Sequence, residues 1–227
     1  MQAYIDGKPR QLGPEFAPYF DKAKLAIVSI DLHRGHLDPS PDCPCPAPRA
    51  REIVGVVDAF HAKARALGIP VIHVKSTLRK GGVDDINGLK AAWRLVFPLH
   101  VGEIPNTDEH AIAGTRWTEF VTEVDERDLV VDTKKRLTAF YPTDLDFLLR
   151  NMGVTALMLN GCLTDCCVLN TAFDASNLGY RVSVLSDLTR GTTADLEVSA
   201  LRIVAMHLGL VVDADMAIGN LSEVIRD

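Results

Sequence analysis

Six short apolar runs, separated by longer segments with helical spacing, restrict the fold of this 227-residue chain more than any other feature. The runs span residues 25–30, 70–75, 128–133, 156–159, 181–185 and 210–212. No tight hairpin signal joins them, and such alternation is typical of βαβ units. Because the runs are continuously apolar, we expect strands that are buried on both faces. The sequence therefore predicts an α/β fold: a three-layer, doubly wound, six-stranded parallel sheet of Rossmann-like type.

The chain divides into a short arm and one domain. Residues 1–24 hold several glycines and prolines and are expected to form an irregular arm, on the surface or on a neighbouring subunit. Residues 25–227 contain neither an internal repeat nor an obvious linker. Their length suits a single well-buried domain.

Composition and charge exclude several classes of protein. The 24 basic and 30 acidic residues give a net charge of −6 without a basic run, which argues against nucleic-acid binding. No apolar stretch approaches the ~20 residues that span a bilayer, and the first ten residues lack a signal-peptide core. The five cysteines lie in two tight clusters, unlike a spaced disulfide framework. We expect a cytoplasmic protein that does not bind membranes.

The segment Asn160–Val168, with the sequence NGCLTDCCV, joins an apolar strand to a helix. Thr164 and Asp165 are favourable N-cap residues, which would place a cysteine in the first helical turn. There the helix dipole and free backbone N–H groups favour the nucleophilic thiolate. A buried cysteine is more often a small hydrophobic residue, however, so the pattern alone leaves Cys166 and Cys167 open as nucleophiles.

Two further residues at strand ends give this cysteine partners. Asp31 and Lys134 follow or end apolar runs, and parallel strands deliver their carboxyl ends to one edge of the sheet. A carboxylate there is suited to deprotonate a thiol, and a lysine to stabilise the thiolate. Taken singly, each is equally typical of a turn or a solvated helix cap.

Other motifs are less informative. Cys43 and Cys45 form a C-x-C pair with no second pair at zinc-site spacing, which favours a rigid proline-rich loop over metal binding. Residues 76–127 carry no strong strand signal and are expected to form the loops that select the substrate.

Together these motifs resemble the isochorismatase-like cysteine hydrolase superfamily over roughly residues 25–215. The resemblance rests on Asp31, on Lys134 with the following Arg136–Phe140, on the helix start at Thr143–Asp146, and on Gly161–Val168. It implies a six-stranded parallel sheet, a homodimer or homotetramer, and an Asp–Lys–Cys triad. The superfamily includes amidases, ureido hydrolases, nicotinamidases and isochorismatases.

The resemblance also assigns roles. Asp31 would be the base, Lys134 the cation and Cys167 the nucleophile, while Cys166 would point elsewhere because adjacent helical side chains diverge by about 100°. The Cys162–Leu163 bond would be cis, and the N–H groups of Leu163 and Cys167 would form an oxyanion hole.

The chain departs from the nicotinamidases, whose Asp-x-His metal ligands are replaced here by Ser76–Gly81. We therefore expect neither a metal nor a cofactor, and a small amide, carbamoyl or ureido substrate cleaved at a C–N bond through a thioester. The alternatives are an isochorismatase-type vinyl ether hydrolase and a catalytically silent small-molecule-binding homologue. Candidate substrate-binding residues are His36, Arg79, Trp93, Arg116, Phe140 and Tyr141.

Overall fold

The computed structural model describes residues 1–224, so the last three residues of the predicted domain lie outside the described part. The strands are β1 (Gln2–Ile5), β2 (Lys8–Gln11), β3 (Leu25–Ile30), β4 (Val71–Ser76), β5 (Leu129–Lys134), β6 (Ala156–Cys162), β7 (Arg181–Arg190) and β8 (Gly209–Val212). Strands β3 to β8 form one parallel sheet in the order β5-β4-β3-β6-β7-β8. The predicted six-stranded parallel sheet is confirmed.

Helices cover both faces of this sheet. They are α1 (Arg34–Leu37), α2 (Val54–Ala66), α3 (Ala92–Val101), α4 (Leu145–Asn151), α5 (Leu169–Asn177), α6 (Ala194–Ile203) and α7 (Ala214–Val224). Leu25 and Ile27 of β3 pack in one apolar cluster with Phe60 of α2, whereas Val28 packs in a second cluster with Leu149 of α4. Successive strand residues point to opposite faces, which explains why this run is apolar throughout.

The first 24 residues contain regular structure that the pattern did not predict. β1 and β2 pair antiparallel across Asp6 and Gly7, whose φ angles are 52° and 71°. An Asp-Gly pair with positive φ is the signature of a two-residue hairpin, so the signal was present in the sequence. The hairpin packs on the chain's own α7, where Asn220 bonds to the backbone of Gln2. The expectation of an irregular arm is therefore wrong for this part.

The strand order brings the candidate catalytic residues to one edge. β5, β4, β3 and β6 are consecutive neighbours, and Ser76 of β4 is in register with Lys134 of β5. Ile30, which precedes Asp31, is in register with Gly161 of β6. Within residues 1–224, no helix has both the length and the apolar character that a membrane crossing requires.

Candidate active site

Asp31 lies at the carboxyl end of β3 in an unusual backbone conformation. Its φ is 54°, in the left-handed region that aspartate tolerates better than most residues. Its N–H donates to the Val74 carbonyl at 2.8 Å, and its side chain is completely buried. The backbone thus leaves the strand at Asp31 and turns its carboxylate into the sheet edge.

Lys134 joins Asp31 to the thiol of Cys167. Its Nζ lies 2.6 Å from Asp31 Oδ2, 2.9 Å from Ser76 Oγ and 3.5 Å from Cys167 Sγ. A lysine ammonium has three donors, and each of the three meets an acceptor. Ser76 in turn donates its N–H and its hydroxyl to Asp31 Oδ1, at 2.8 and 3.1 Å. The four side chains form one buried polar network.

The charges of this network hold the Asp31–Lys134 pair ionised. Burial alone would raise the pKa of Asp31, but the positive charge of Lys134 outweighs it and the pKa lies well below its usual value. Burial would likewise lower the pKa of Lys134, and the carboxylate of Asp31 raises it instead. Contact with Cys166 and burial raise the pKa of the Cys167 thiol, against the opposing effect of Lys134. The net effect favours the protonated thiol over the thiolate.

Cys167 does not lie in an ordinary helical turn. Residues Thr164–Val168 form a π-type turn that runs into α5. Neither predicted cap residue caps the helix: Thr164 Oγ1 lies 2.8 Å from Thr189 Oγ1, and Asp165 accepts from the backbone and hydroxyl of Thr192. The expectation of a capped first turn is wrong, because the two side chains bond instead to Thr189 of β7 and to Thr192 just after it.

Two features fix the turn before the cysteines. The Cys162–Leu163 peptide bond is cis. Gly161 has a φ of 112°, and a Cβ there would lie 2.1 Å from the Ile30 carbonyl oxygen. Only glycine fits this approach of β6 to β3.

A cavity of about 320 Å³ opens beside the thiol. Ser76, Lys134 and Cys167 line it at the sheet edge, and Trp93 and Phe97 of α3 also belong to its wall. Cys166 also lines this cavity, and the expectation that it points elsewhere is wrong. The expectation assumed the residue spacing of an α-helix, which the π-type turn does not follow.

Of the six residues expected to bind substrate, the structure brings two to this cavity, His36 and Trp93. Their contact with substrate stays a prediction. Arg79 pairs instead with Asp84 at 2.6 Å, with its side chain two-thirds exposed.

The other three lie away from the cavity as well. The Arg116 guanidinium lies 4.1 Å from the centre of the Trp117 ring. Phe140 is buried in the core and stacks on Tyr180. Tyr141 is 66% exposed and precedes a cis proline, Pro142. Residue type alone made these residues candidates, whereas their positions depend on tertiary packing.

Sequence reasoning missed several residues of the site. Ser76 ends a strand next to β3, so the rule that singled out Asp31 applies to it equally. His33 and His110 are also buried, and one nitrogen of His33 lies 3.7 Å from Asp31 Oδ1. No local pattern links His110 to this site, because the long segment after β4 places it.

Residues 25–216 match the family model of the isochorismatase domain. The chain is 28% identical over 210 residues to ureidoacrylate amidohydrolase RutB of Methylorubrum extorquens, across 86% of this chain and 81% of that protein. It is 26% identical to N-carbamoylsarcosine amidase of an Arthrobacter species, across 69% and 55%. A solved isochorismatase family protein of Desulfovibrio vulgaris superposes with a TM-score of 0.73 at 28% identity, across 90% and 99%.

Coverage of the relatives is uneven. The chain spans about half the length of several curated relatives, from 45 to 59%. The family model nevertheless covers most of this chain and contains the sheet, the Asp31–Lys134 pair and the cysteine turn. The chain belongs to the isochorismatase family.

Proposed function

We propose that this protein is a cysteine-dependent hydrolase that cleaves a C–N bond of a small amide, carbamoyl or ureido compound. One observation carries the proposal: Lys134 Nζ bridges the carboxylate of Asp31 and the thiol of Cys167 beside a cavity. A nucleophile, a base and a cation in contact are the parts that acyl transfer needs. The relatives named as amidases support the same chemistry.

In the proposed first step, Cys167 Sγ attacks the carbonyl carbon and its proton passes to Asp31. The charge of Lys134 stabilises the sulfur as it loses the proton. The backbone N–H groups of Leu163 and Cys167 are proposed to receive the oxyanion, a contribution of about 3 kcal/mol per donor. Asp31 then returns the proton to the leaving nitrogen, which departs as ammonia or an amine and leaves a thioester.

In the second step a water molecule attacks the thioester. Asp31 accepts a proton from the water, and the C–S bond breaks to release a carboxylic or carbamic acid. The proton then returns to the sulfur of Cys167. The cycle consumes one amide and one water and restores the resting thiol.

The substrate class follows from size and from the relatives. A cavity of about 320 Å³ lies at the lower end of the range for small-molecule sites. Lys135, Arg136 and Asp165 are among the residues of its wall, so charged residues lie near the polar groups of a substrate beyond the scissile bond. We therefore place ureido and carbamoyl acids first among the substrates.

The experiment is an ammonia-release screen over ureido, carbamoyl and simple amide compounds. We expect turnover by the wild-type protein and none above background by Cys167→Ala, with an unchanged far-UV circular dichroism spectrum. Cys166→Ala is the matched control, because it removes a neighbouring cavity thiol that does not contact Lys134 in the proposed mechanism. It should retain at least a tenth of the activity. Full activity of Cys167→Ala would contradict the mechanism.

A second candidate is hydrolysis of a vinyl ether of the isochorismatase type. It is favoured by the buried Asp31–Lys134 pair, which supplies an acid and a base without the thiol. Activity on such an ether that persists in Cys167→Ala and disappears in Asp31→Asn would support this candidate. A protein that binds small molecules but turns none over in either screen would be the silent homologue.

The assembly and the compartment are also proposals. α3, which lines the cavity through Trp93 and Phe97, also exposes Leu95 and Leu99, at 60 and 82%. A second copy that covers these residues would form the expected homodimer or homotetramer, which light scattering after size exclusion would detect. All five cysteines are free, and four of them are buried, in keeping with a reducing cytoplasm.

A further inference from the structure

Three buried histidines meet beside the triad. His33, His36 and His110 each place one ring nitrogen within 4.8 Å of the other two. The Nε2 atoms of His36 and His110 are 3.2 Å apart. A metal ion about 2.0–2.1 Å from both nitrogens would subtend an angle of about 100°, which suits tetrahedral or octahedral coordination.

Backbone carbonyls fix two of these rings in the form that binds metals. His36 Nδ1 lies 2.9 Å from the Cys45 carbonyl oxygen, and His33 Nδ1 lies 2.8 Å from that of Trp117. A carbonyl only accepts, so each Nδ1 carries the proton and each Nε2 presents its lone pair. The same arrangement orients histidine ligands in metal sites.

Two backbone groups contact Nδ1 of His33. The Gly35 N–H also lies 3.1 Å from His33 Nδ1, a contact that requires the other tautomer; the Trp117 contact is shorter and we assign the proton from it. A Cβ at position 35 would lie 2.9 Å from the Trp117 oxygen, so glycine keeps this contact open. His33 Nε2 and His110 Nδ1 are buried and have no hydrogen-bond partner among the described residues. A buried polar atom without a partner calls for an explanation, and an ion bound beside His33 Nε2 would supply one.

Two of the three rings, those of His36 and His110, favour the uncharged form that binds metals. Burial lowers the pKa of His36 to about 4 and that of His110 well below its usual value. Asp31, whose Oδ1 lies 3.7 Å from His33 Nε2, supplies a negative charge beside the cluster. A cation bound there would compensate this charge together with Lys134.

We propose that His33, His36 and His110 bind one divalent transition-metal ion of the zinc class. Imidazole suits zinc, cobalt, nickel and copper, and three protein ligands leave at least one coordination position open. His36 and His110 line the cavity that also contains Cys167, so the open position faces the substrate. His33 must move inward to complete the set.

These donors differ from the ligands that the resemblance places after the second strand, where Ser76–Gly81 carry none. His36 and His110 are 74 positions apart in the chain, so no local motif contains both of them. The expectation of no metal considered only ligands close together in sequence. The metal site itself does not depend on the proposed function. Only the role of the ion rests on it, and that role is to hold an oxygen or nitrogen of the substrate.

The test titrates cobalt(II) into the Cys167→Ser protein, which cannot form the thioester, after dialysis against a chelator. We expect one cobalt per chain, visible in d–d absorption and without the charge-transfer band of a thiolate ligand. His36→Gln and His110→Gln should each weaken binding at least tenfold. His100→Gln, a cavity histidine outside the cluster, should bind as the parent does.

Equal affinity in all four proteins, or a thiolate band, would overturn the proposal. If the glutamine variants do not fold, nitrogen-15 spectra of the parent during zinc addition replace them: three of the seven histidine side chains should shift, and no shift refutes the site. If the protein binds cobalt but releases ammonia from no amide, the metal site is supported and the proposed function is wrong. If the protein releases ammonia but binds no cobalt, the proposed function is supported and the metal site is wrong.

Discussion

The backbone of Gly161 lies against the Ile30 carbonyl, where a Cβ would meet the oxygen at 2.1 Å. Gly161→Ala forces β6 away from β3 and places alanine at a φ of 112°. We expect a loss of about 3–5 kcal/mol in the free energy of unfolding. Urea denaturation measures it. Gly55→Ala, in α2 with open space around it, is the control and should stabilise by up to about 1 kcal/mol. Equal midpoints for the two variants would contradict the tight contact.

The buried Asp31–Lys134 pair is expected to stabilise the fold as well as to serve the proposed reaction. Lys134→Met leaves the carboxylate buried without its cation and should cost about 3–5 kcal/mol. Asp31→Asn leaves the ammonium unpaired and should also destabilise. The double variant removes both charges, so its loss should be smaller than the sum of the two single losses. Additive losses in chemical denaturation would show that the pair does not interact.

Acid should destabilise the protein through His61. Burial, with the positive charges of His73 and Arg65, lowers the pKa of this imidazole to about 3, whereas an unfolded histidine titrates near 6.5. Between these values the unfolded chain binds the extra proton, so stability rises with pH across about 3 to 6.5. The contribution is complete above the unfolded pKa and disappears as the pH falls towards the folded one.

His61→Gln removes the share of this dependence that comes from His61 and keeps a polar side chain beside Asn160, whose Nδ2 lies 3.2 Å from His61 Nε2. The unfolding free energy of the wild type should therefore drop more steeply between pH 7 and pH 5 than that of the variant. His207→Gln, at an exposed position, should follow the wild type. Parallel curves for wild type and His61→Gln would exclude His61 as the acid-sensitive group.

The N-terminal hairpin should be held by Asn220. This buried side chain accepts from the Gln2 N–H at 2.7 Å and donates to the Gln2 carbonyl at 2.8 Å. Asn220→Ala loses both bonds and should cost about 1–3 kcal/mol. Limited proteolysis should cut the variant within its first 24 residues sooner than the wild type. Unchanged cleavage would mean that the Tyr4–Asp213 hydrogen bond suffices.

The sheet was predictable because its strands are continuously apolar. β3 is buried on both faces, so its six residues needed no periodicity to be recognised. The proximity of Asp31 and Lys134 was predictable because parallel strands have their carboxyl ends at one edge of the sheet. Cys167, rather than Cys166, came from the family resemblance alone, because the two thiols share the cavity and differ in their contact with Lys134.

The missed features depend on contacts between distant segments. The π-type turn arises where Thr164 and Asp165 bond to Thr189 and Thr192, and no local signal encodes these bonds. Arg79 and Phe140 have suitable chemistry but end in a surface ion pair and in the core. By contrast, the Asp6–Gly7 pair is a local signal that is sufficient to predict the hairpin.

The two sides of the cavity have different origins. Ser76, Lys134 and Cys167 belong to the rigid sheet edge, whereas Trp93, Phe97 and His110 come from the long segment between β4 and β5. Under the proposed function, substitutions in that segment should alter substrate recognition and leave the reacting atoms in place. A lineage of this protein can thus acquire a new substrate by changes in one wall of the cavity. A chimaera in which the matching segment of a relative replaces residues 91–110 should show the substrate preference of that relative.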